Sequence, residues 1–337
     1  MLKLSDFVYD LPKDLIAQFP LKNRDQARMF VFERKSGKFA HKSFKDISSY
    51  LKANDLLVLN DTKVLACRLI GHKATGGKVE ILLTKRKNGT DFATLIQPSR
   101  TKVGEKIFFG PQRGIAGVIS ARGQISFKLA DADRIYEYGV VPLPPYIRRD
   151  PIESDTLDYQ TVYAAKEGAL ASPTAGLHFE YQTLEALKAQ GVKLGFVTLH
   201  VGLGTFRPVR TEDITQHKMD SECFQVPEIT QQLIKETKNS QGRLIAVGTT
   251  SLRVLETIAT GKNEGNTDLF IYPGYKFKNV DCLLTNFHLP ATTLFMLVCA
   301  FAAAENESGV ELMKKAYQEA VNEKYRFYSY GDAMLII

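Results

Sequence analysis

The hydrophobic pattern of this chain changes period twice, and that change limits its possible folds more than any other feature. From residue 68 to 130 the apolar residues come in short alternating runs: RLIG (68–71), KVEILLT (78–84), DFATLI (91–96), KIFFG (106–110), IAGVIS (115–120) and QISFKLA (124–130). Glycine or charged turns separate them at intervals of mostly about 9–13 residues, the grammar of a small barrel or sandwich. VPLPPYIRRD (141–150) follows, and its three prolines cannot continue a central strand, so it reads as a linker leading out.

On either side the period is different. EYQTLEALKAQG (180–191) places Leu184 and Leu187 on one helical face and ends in a glycine suited to a C-terminal cap, with VKLGFVTLHV following as a strand. RLIAVG (243–248), DLFIY (268–272) and CLLTNF (282–287) read as strands; PEITQQLIKE, TSLRVLETIATG (250–261) and the segments 291–304 and 309–323 read as helices. DLLVLND (55–61) is a strand-like run that leads straight into the barrel-like segment. Alternation of this kind argues for an α/β fold with at least part of its sheet parallel. At 337 residues the chain exceeds the usual size of one core. The expectation is one discontinuous α/β domain, residues 1–60 and 147–337, with a small β-barrel domain, residues 61–146, inserted into it.

The insert is also set apart by charge. Residues 63–149 hold 16 Lys and Arg against 6 Asp and Glu, a balance of +10, so the rest of the chain, at 28 against 31, carries −3 of the net +7. A local basic excess points to a polyanionic partner. The remaining composition, 44% hydrophobic and 24% charged, is that of a self-folding globular chain. Four cysteines without a CxxC pair point to a reducing, cytosolic compartment. The start MLKLSDFVYDLPKDLI lacks a signal-peptide stretch, and the run LFMLVCAFAAA (294–304) is too short to span a bilayer.

Chemistry concentrates in loops at strand ends. SPTAGLHF, LHVGLGTF and TNFHLP each set a histidine among threonine, asparagine and glycine, and they carry His178, His200 and His288 out of six histidines. A lone histidine in a strand is most simply a satisfied core residue, but three in polar loops suggest imidazoles used as acid, base or hydrogen-bond donor. VGTTSLR (247–253) is a strand, a hydroxyl-rich turn and the first turn of a helix, an arrangement suited to an anion; the plainer reading is that Thr250 caps the helix and Arg253 is solvated. HKMDSE (217–222) brings an imidazole and two carboxylates together, or is a charged surface turn. YRFYSYGDAML (325–335) sets four aromatic rings near Asp332, either a nucleobase platform or C-terminal core packing, and packing is the reading favoured. No HExxH or His-x₃-His spacing supports zinc, no GxSxG a serine hydrolase, and GLGT runs into Phe206-Arg207-Pro208 where a dinucleotide fingerprint needs a helix.

Together these stretches, with FVYDLPKDLIAQFPLKNRDQARM, LNDTKVLACRL, VPLPPYIRR and FIYPGYKFKNVDCLLTNFHLP, run in one order from residue 7 to 336. In that order they resemble the S-adenosylmethionine:tRNA ribosyltransferase-isomerases of queuosine biosynthesis. The resemblance implies an α/β domain with an inserted barrel, usually monomeric and without a metal. It implies transfer and isomerisation of the ribosyl part of S-adenosylmethionine onto 7-aminomethyl-7-deazaguanine at the wobble position of tRNA, with adenine and methionine leaving and epoxyqueuosine left in the tRNA. That reaction needs a base beside the sulfonium, help for departing adenine and an unprotonated amine nucleophile. On this resemblance His178, His200, His217 and His288 are expected around the reacting groups. Thr174, Gly176, Gly202 and Gly204 would shape the cofactor pocket, and Thr249, Thr250, Ser251 and Arg253 would hold the methionine carboxylate or a phosphate. Asp220, Asp61, Lys63 and Ala291 depart from the family pattern, which has histidine, asparagine, arginine and lysine there, and this argues against essential roles for those side chains. Two other classes remain to be distinguished: a non-catalytic tRNA-binding protein and an ordinary methyltransferase.

Overall fold

The computed structural model describes residues 2–111, 114–202, 204, 209–303 and 308–337. Its largest element is a nine-stranded sheet in the order Glu264–Thr267, Glu222–Gln225, Lys193–Leu199, Leu56–Asn60, Leu244–Val247, Cys282–Asn286, Ala333–Ile336, Arg28–Phe32 and Phe39–Ser43. The middle four strands, Lys193–Leu199 to Cys282–Asn286, are parallel. The flanks are mixed, with Ala333–Ile336 antiparallel to Cys282–Asn286 and parallel to Arg28–Phe32. The expected mixed α/β architecture is therefore present.

Leu56–Asn60 is buried at every position, as a strand covered on both faces must be. Side chains alternate between two cores. Leu56, Val58, Val197, Ala246 and Leu283 face one, closed by the helices Glu228–Asn239, Gly248–Ile258, Thr293–Ala302 and Gly309–Asn322. Leu57, Leu59, Ile245, Val247 and Leu284 face the other, closed by Leu184 and Leu187 of the helix Tyr181–Ala189 and by Phe44 and Ile47. Gly191 stands just past that helix at φ +88°, the left-handed cap expected for it.

The second sheet is a closed antiparallel barrel. Its six strands, in order, are Arg68–Lys73, Lys78–Arg86, Asp91–Gln97, Gln124–Phe127, Ile115–Ala121 and Lys106–Phe109, and the last pairs with the first. Each is one of the six alternating runs. Closure depends on Gly71, where a Cβ would lie 2.6 Å from the Phe109 ring. Leu69, Ile81, Phe92, Ile107 and Ile125 fill the interior. Gly139–Val140 adds to the start of the first strand, with Val140 opposite Arg68, so the chain enters and leaves the barrel at the same end. Thr62–Val64 pairs instead with Lys166–Ala169, in a separate two-stranded sheet.

Two expectations need correction, and one hairpin lies outside them. DLFIY (268–272) is not a strand; the edge strand is Glu264–Thr267, just before it. The Leu269 carbonyl accepts from Arg253 Nε at 3.0 Å, and Ile271 packs into the first core, so this stretch covers the helix rather than extending the sheet. The hairpin Arg28–Phe32 with Phe39–Ser43 was not expected, because the strand it joins, Ala333–Ile336, lies at the other end of the chain. YRFYSYGDAML does not only pack: Tyr325 and Phe327 are fully buried, but Tyr328 and Ser329 line a cleft. Among the described residues no helix is long and apolar enough to cross a membrane.

Candidate active site

All four parallel strands end on the same side of the sheet, and ligands of open α/β sheets bind outside the carboxyl ends of the strands. A narrow, partly open cleft lies there. Strand Leu244–Val247 turns directly into the helix Gly248–Ile258 through Gly248, at φ +88°, a conformation that favours glycine. The first turn of that helix, Gly248, Thr249 and Thr250, lines the cleft. The neighbouring strand brings Thr285, Asn286, Phe287 and His288, the 172–175 loop crosses from the other side, and Tyr146, Tyr328 and Ser329 form a further wall.

Hydrogen bonds fix these groups. Asn60, fully buried at the end of the central strand, accepts from the Leu199 and Thr62 amides at 3.0 and 3.2 Å and donates to Thr250 Oγ1 at 3.3 Å. The Thr250 hydroxyl proton is left to point elsewhere. Thr174 Oγ1 donates to Asn286 Oδ1 at 2.8 Å. Tyr146 and Ser329 share a 2.5 Å hydroxyl bond. His288 is held three ways: Nε2 lies 2.9 Å from Thr285 Oγ1, its amide donates to Tyr317 at 3.2 Å, and its carbonyl accepts from the Tyr9 hydroxyl. Burial pushes the His288 pKa down to about 3, so the imidazole is neutral at physiological pH.

Of the twelve site residues expected from sequence, the cleft contains four: Thr174, Thr249, Thr250 and His288. His178 lies behind it, with Nε2 at 3.2 Å from Asn286 Nδ2, its ring against Phe44, and its pKa driven down to about 3 by burial and then by Arg326 and Arg24. Gly176 is a packing residue, since a Cβ there would come within 1.9 Å of the Tyr163 hydroxyl. Ser251 is fully buried within the helix, away from the cleft lining. Arg253 is not solvated: its Nη1 forms a buried ion pair with Glu222, while its Nη2 is buried without a hydrogen-bond partner.

The remaining four histidine and glycine expectations separate. His200 Nδ1 lies 2.8 Å from Thr62 Oγ1, and its ring covers Gly168. Burial lowers its pKa, and nearby Asp61 opposes the shift. Burial also raises the pKa of Asp61, against its 2.6 Å bond from Thr198. His217 and Gly204 line a different, open groove with Arg210, Lys218 and Asp220. There burial lowers the His217 pKa, opposed by Asp220. Gly202 donates its amide to Glu222 at 2.9 Å. Leu203 and residues 205–208, which complete the LHVGLGTF stretch and include Phe206-Arg207-Pro208, lie outside the described residues.

Sequence reasoning did not single out Asn60, Asn286, Tyr146 or Ser329. Asn286 stood inside the TNFHLP stretch, where the histidine drew attention instead. Tyr146 lay in a segment read as a linker.

Comparison with known proteins bears on this site as a whole. The sequence model of a family described as Queuosine biosynthesis protein matches residues 4–336. A relative from Staphylococcus haemolyticus (strain JCSC1435), named S-adenosylmethionine:tRNA ribosyltransferase-isomerase, is 48% identical over 349 residues, covering all of both chains. One of the same name from Sulfurihydrogenibium sp. (strain YO3AOP1) is 49% identical over 342 residues, again covering both chains fully. Among solved structures, the S-adenosylmethionine tRNA ribosyltransferase of Thermotoga maritima shares 36% identity and a TM-score of 0.57, covering 98% of this chain and 100% of that one.

Proposed function

Because this chain belongs to the queuosine biosynthesis protein family, we propose that it is an enzyme that transfers and isomerises the ribosyl moiety of S-adenosylmethionine. The acceptor is 7-aminomethyl-7-deazaguanine at the wobble position of tRNA, and the products are epoxyqueuosine-tRNA, adenine and methionine. The names of full-length relatives support the reaction.

The observation that carries the reading is the cleft itself: a neutral imidazole, a helix N-terminus and hydroxyl-bearing side chains converge at the carboxyl ends of the parallel strands. The helix N-terminus with Thr249 and Thr250 suits the carboxylate of methionine. Tyr146 and Tyr328, packed edge to face on each other, put aromatic surface beside the cleft for adenine or the sulfonium. His288 is assigned as the proton acceptor beside the sulfonium on its position in the cleft; burial keeps it unprotonated but also makes it a weak base in the free enzyme, so bound substrate has to raise its basicity for turnover. Arg253 ties the 202 turn to the helix through Glu222 and Gly202.

The basic barrel is the candidate tRNA contact, and the α/β part holds the cofactor. We place the enzyme in the cytoplasm with its tRNA, working as a monomer. Among the described residues no group of three or more His, Cys, Asp or Glu is arranged to hold a metal ion, and the reaction as written needs none.

Mass spectrometry of tRNA carrying the aminomethyl precursor, after incubation with enzyme and S-adenosylmethionine, tests the reading. The expected result is a ribosyl-derived mass gain with free adenine and methionine, unchanged by a chelator. A one-methyl gain with S-adenosylhomocysteine would make the protein a methyltransferase. Bound tRNA of unchanged mass would make it a binding module.

A further inference from the structure

Asn286 ends the strand Cys282–Asn286, is 3% exposed and lines the cleft. Thr174 donates to its Oδ1, and its Nδ2 lies 3.2 Å from His178 Nε2. An amide nitrogen can only donate, so Nε2 of His178 must accept, and the imidazole proton sits on Nδ1. The amide nitrogen carries a second N–H that neither partner uses. His178 itself lines a second, smaller cavity with Pro20, Leu21, Arg24, Asp158 and Tyr330, next to the cleft through the shared Ser329.

From this geometry we infer that His178 is a positioning residue: it fixes the orientation of the Asn286 amide so that the second Nδ2–H is presented to the cleft as a donor to a hydrogen-bond acceptor of bound S-adenosylmethionine. The inference rests on the reading that the cleft binds that cofactor. Without His178 the amide has one anchor, Thr174, whose hydroxyl can donate to an oxygen or accept from a nitrogen. The amide is then free to flip, and half of its orientations offer the ligand an acceptor instead of a donor. Protonation of His178 would set a donor against a donor; burial and the charges of Arg24 and Arg326 keep the ring neutral, while Asp158 across the small cavity is the acidic group on that side.

Two substitutions separate positioning from proton transfer. His178→Phe keeps the ring against Phe44 and removes the acceptor, whereas His178→Gln restores an oxygen acceptor near the Nε2 position without an ionisable group. The expected result for His178→Phe is roughly tenfold weaker S-adenosylmethionine binding by calorimetry, with a matching rise in KM, the usual size of one lost hydrogen bond. His178→Gln should return to within about threefold of wild type, and both should keep the wild-type pH profile of kcat/KM. Wild-type binding in His178→Phe would overturn the proposal. So would a lost limb of the pH profile in both variants, which would make His178 an acid or base. If neither variant folds, ¹⁵N shifts of the His178 ring in the wild-type protein decide, with a protonated Nε2 at pH 7 counting against the inference. Failure of wild-type protein to bind S-adenosylmethionine would instead remove the functional reading, and this inference with it.

Discussion

His288 is neutral because its environment offers no charge to offset desolvation: burial is the one cause of its lowered pKa. A group that touches the reacting atoms and changes protonation during turnover contributes about 10²-fold or more. His288→Ala is therefore expected to lower kcat by about 10²-fold with the fold retained, checked by turnover beside circular dichroism; near-normal turnover would remove it from the mechanism. Burial of neutral imidazoles also has a thermodynamic signature. His178 and His288 titrate near 6.5 when unfolded and at about 3 when folded. Their contribution to stability is thus complete above pH 6.5 and is lost progressively as pH falls towards 3, at up to about 1.4 kcal/mol per pH unit for each ring. Thermal unfolding between pH 7.5 and 5 should accordingly show a shallower acid dependence in His178→Phe than in wild type. Equal slopes would mean that His178 is solvated enough to protonate in the folded state.

At the scale of elements, the cleft keeps its shape because a strand, a turn and a helix are tied at one carboxylate. Glu222 lies on the strand Glu222–Gln225, next to the sheet edge, accepts from the Gly202 amide and pairs with Arg253 on the helix whose N-terminus lines the cleft. Both side chains are at most 4% exposed. Removing one partner of such a pair leaves a buried charge without compensation, a loss of about 3–5 kcal/mol, whereas replacing both by apolar groups is often neutral. Glu222→Gln is expected to lose about 3 kcal/mol or more in chemical denaturation, and the double variant Glu222→Leu with Arg253→Met to recover most of it. A small loss in the single variant, or no recovery in the double, would show that the pair does not bear on stability in this way.

For the whole molecule, the division of charge predicts a division of labour. Many basic residues of the barrel are already neutralised by neighbours: Arg68 and Lys78 by Glu80, Lys73 by Glu105, Arg86 by Asp133 and Arg134 by Glu137. Lys85, Lys87, Arg100, Lys102, Arg122 and Lys128 are exposed and make no ion pair with a described carboxylate. They fall at opposite ends of the barrel. Lys85, Lys87 and Lys128 lie towards the end where the chain enters and leaves, because Thr90 in the hairpin bonds Phe127, while Arg122 sits in the hairpin at the other end. Neutralising Lys85, Lys87 and Lys128 is expected to weaken tRNA binding and to make its logarithmic salt slope shallower by roughly 0.7–0.9 per lost phosphate contact, with S-adenosylmethionine binding unchanged. The same change at Arg100, Lys102 and Arg122 should matter less, being farther from the α/β part. If both sets leave tRNA affinity and its salt slope intact, the barrel is not the contact surface.

Element type and core membership were legible in the sequence wherever a pattern persisted over several residues. The six barrel runs, the strand Leu56–Asn60 and the helix Tyr181–Ala189 each carry their period locally, and burying one face of a repeating pattern requires no knowledge of the partner. The identity of the loops was legible as well, since SPTAG, VGTT and TNFH keep their small and hydroxyl-bearing residues together in sequence, and all three meet in the cleft. Which side chain in each loop faces the ligand was not. His178 meets Asn286 across 108 residues, and Arg253 meets Glu222 across 31. The order of strands in the sheet decides both encounters. Tertiary structure alone could therefore distinguish an imidazole in the cleft, His288, from one that stands behind an amide, His178: strand order sets the direction of each side chain, and a local sequence pattern carries no record of it.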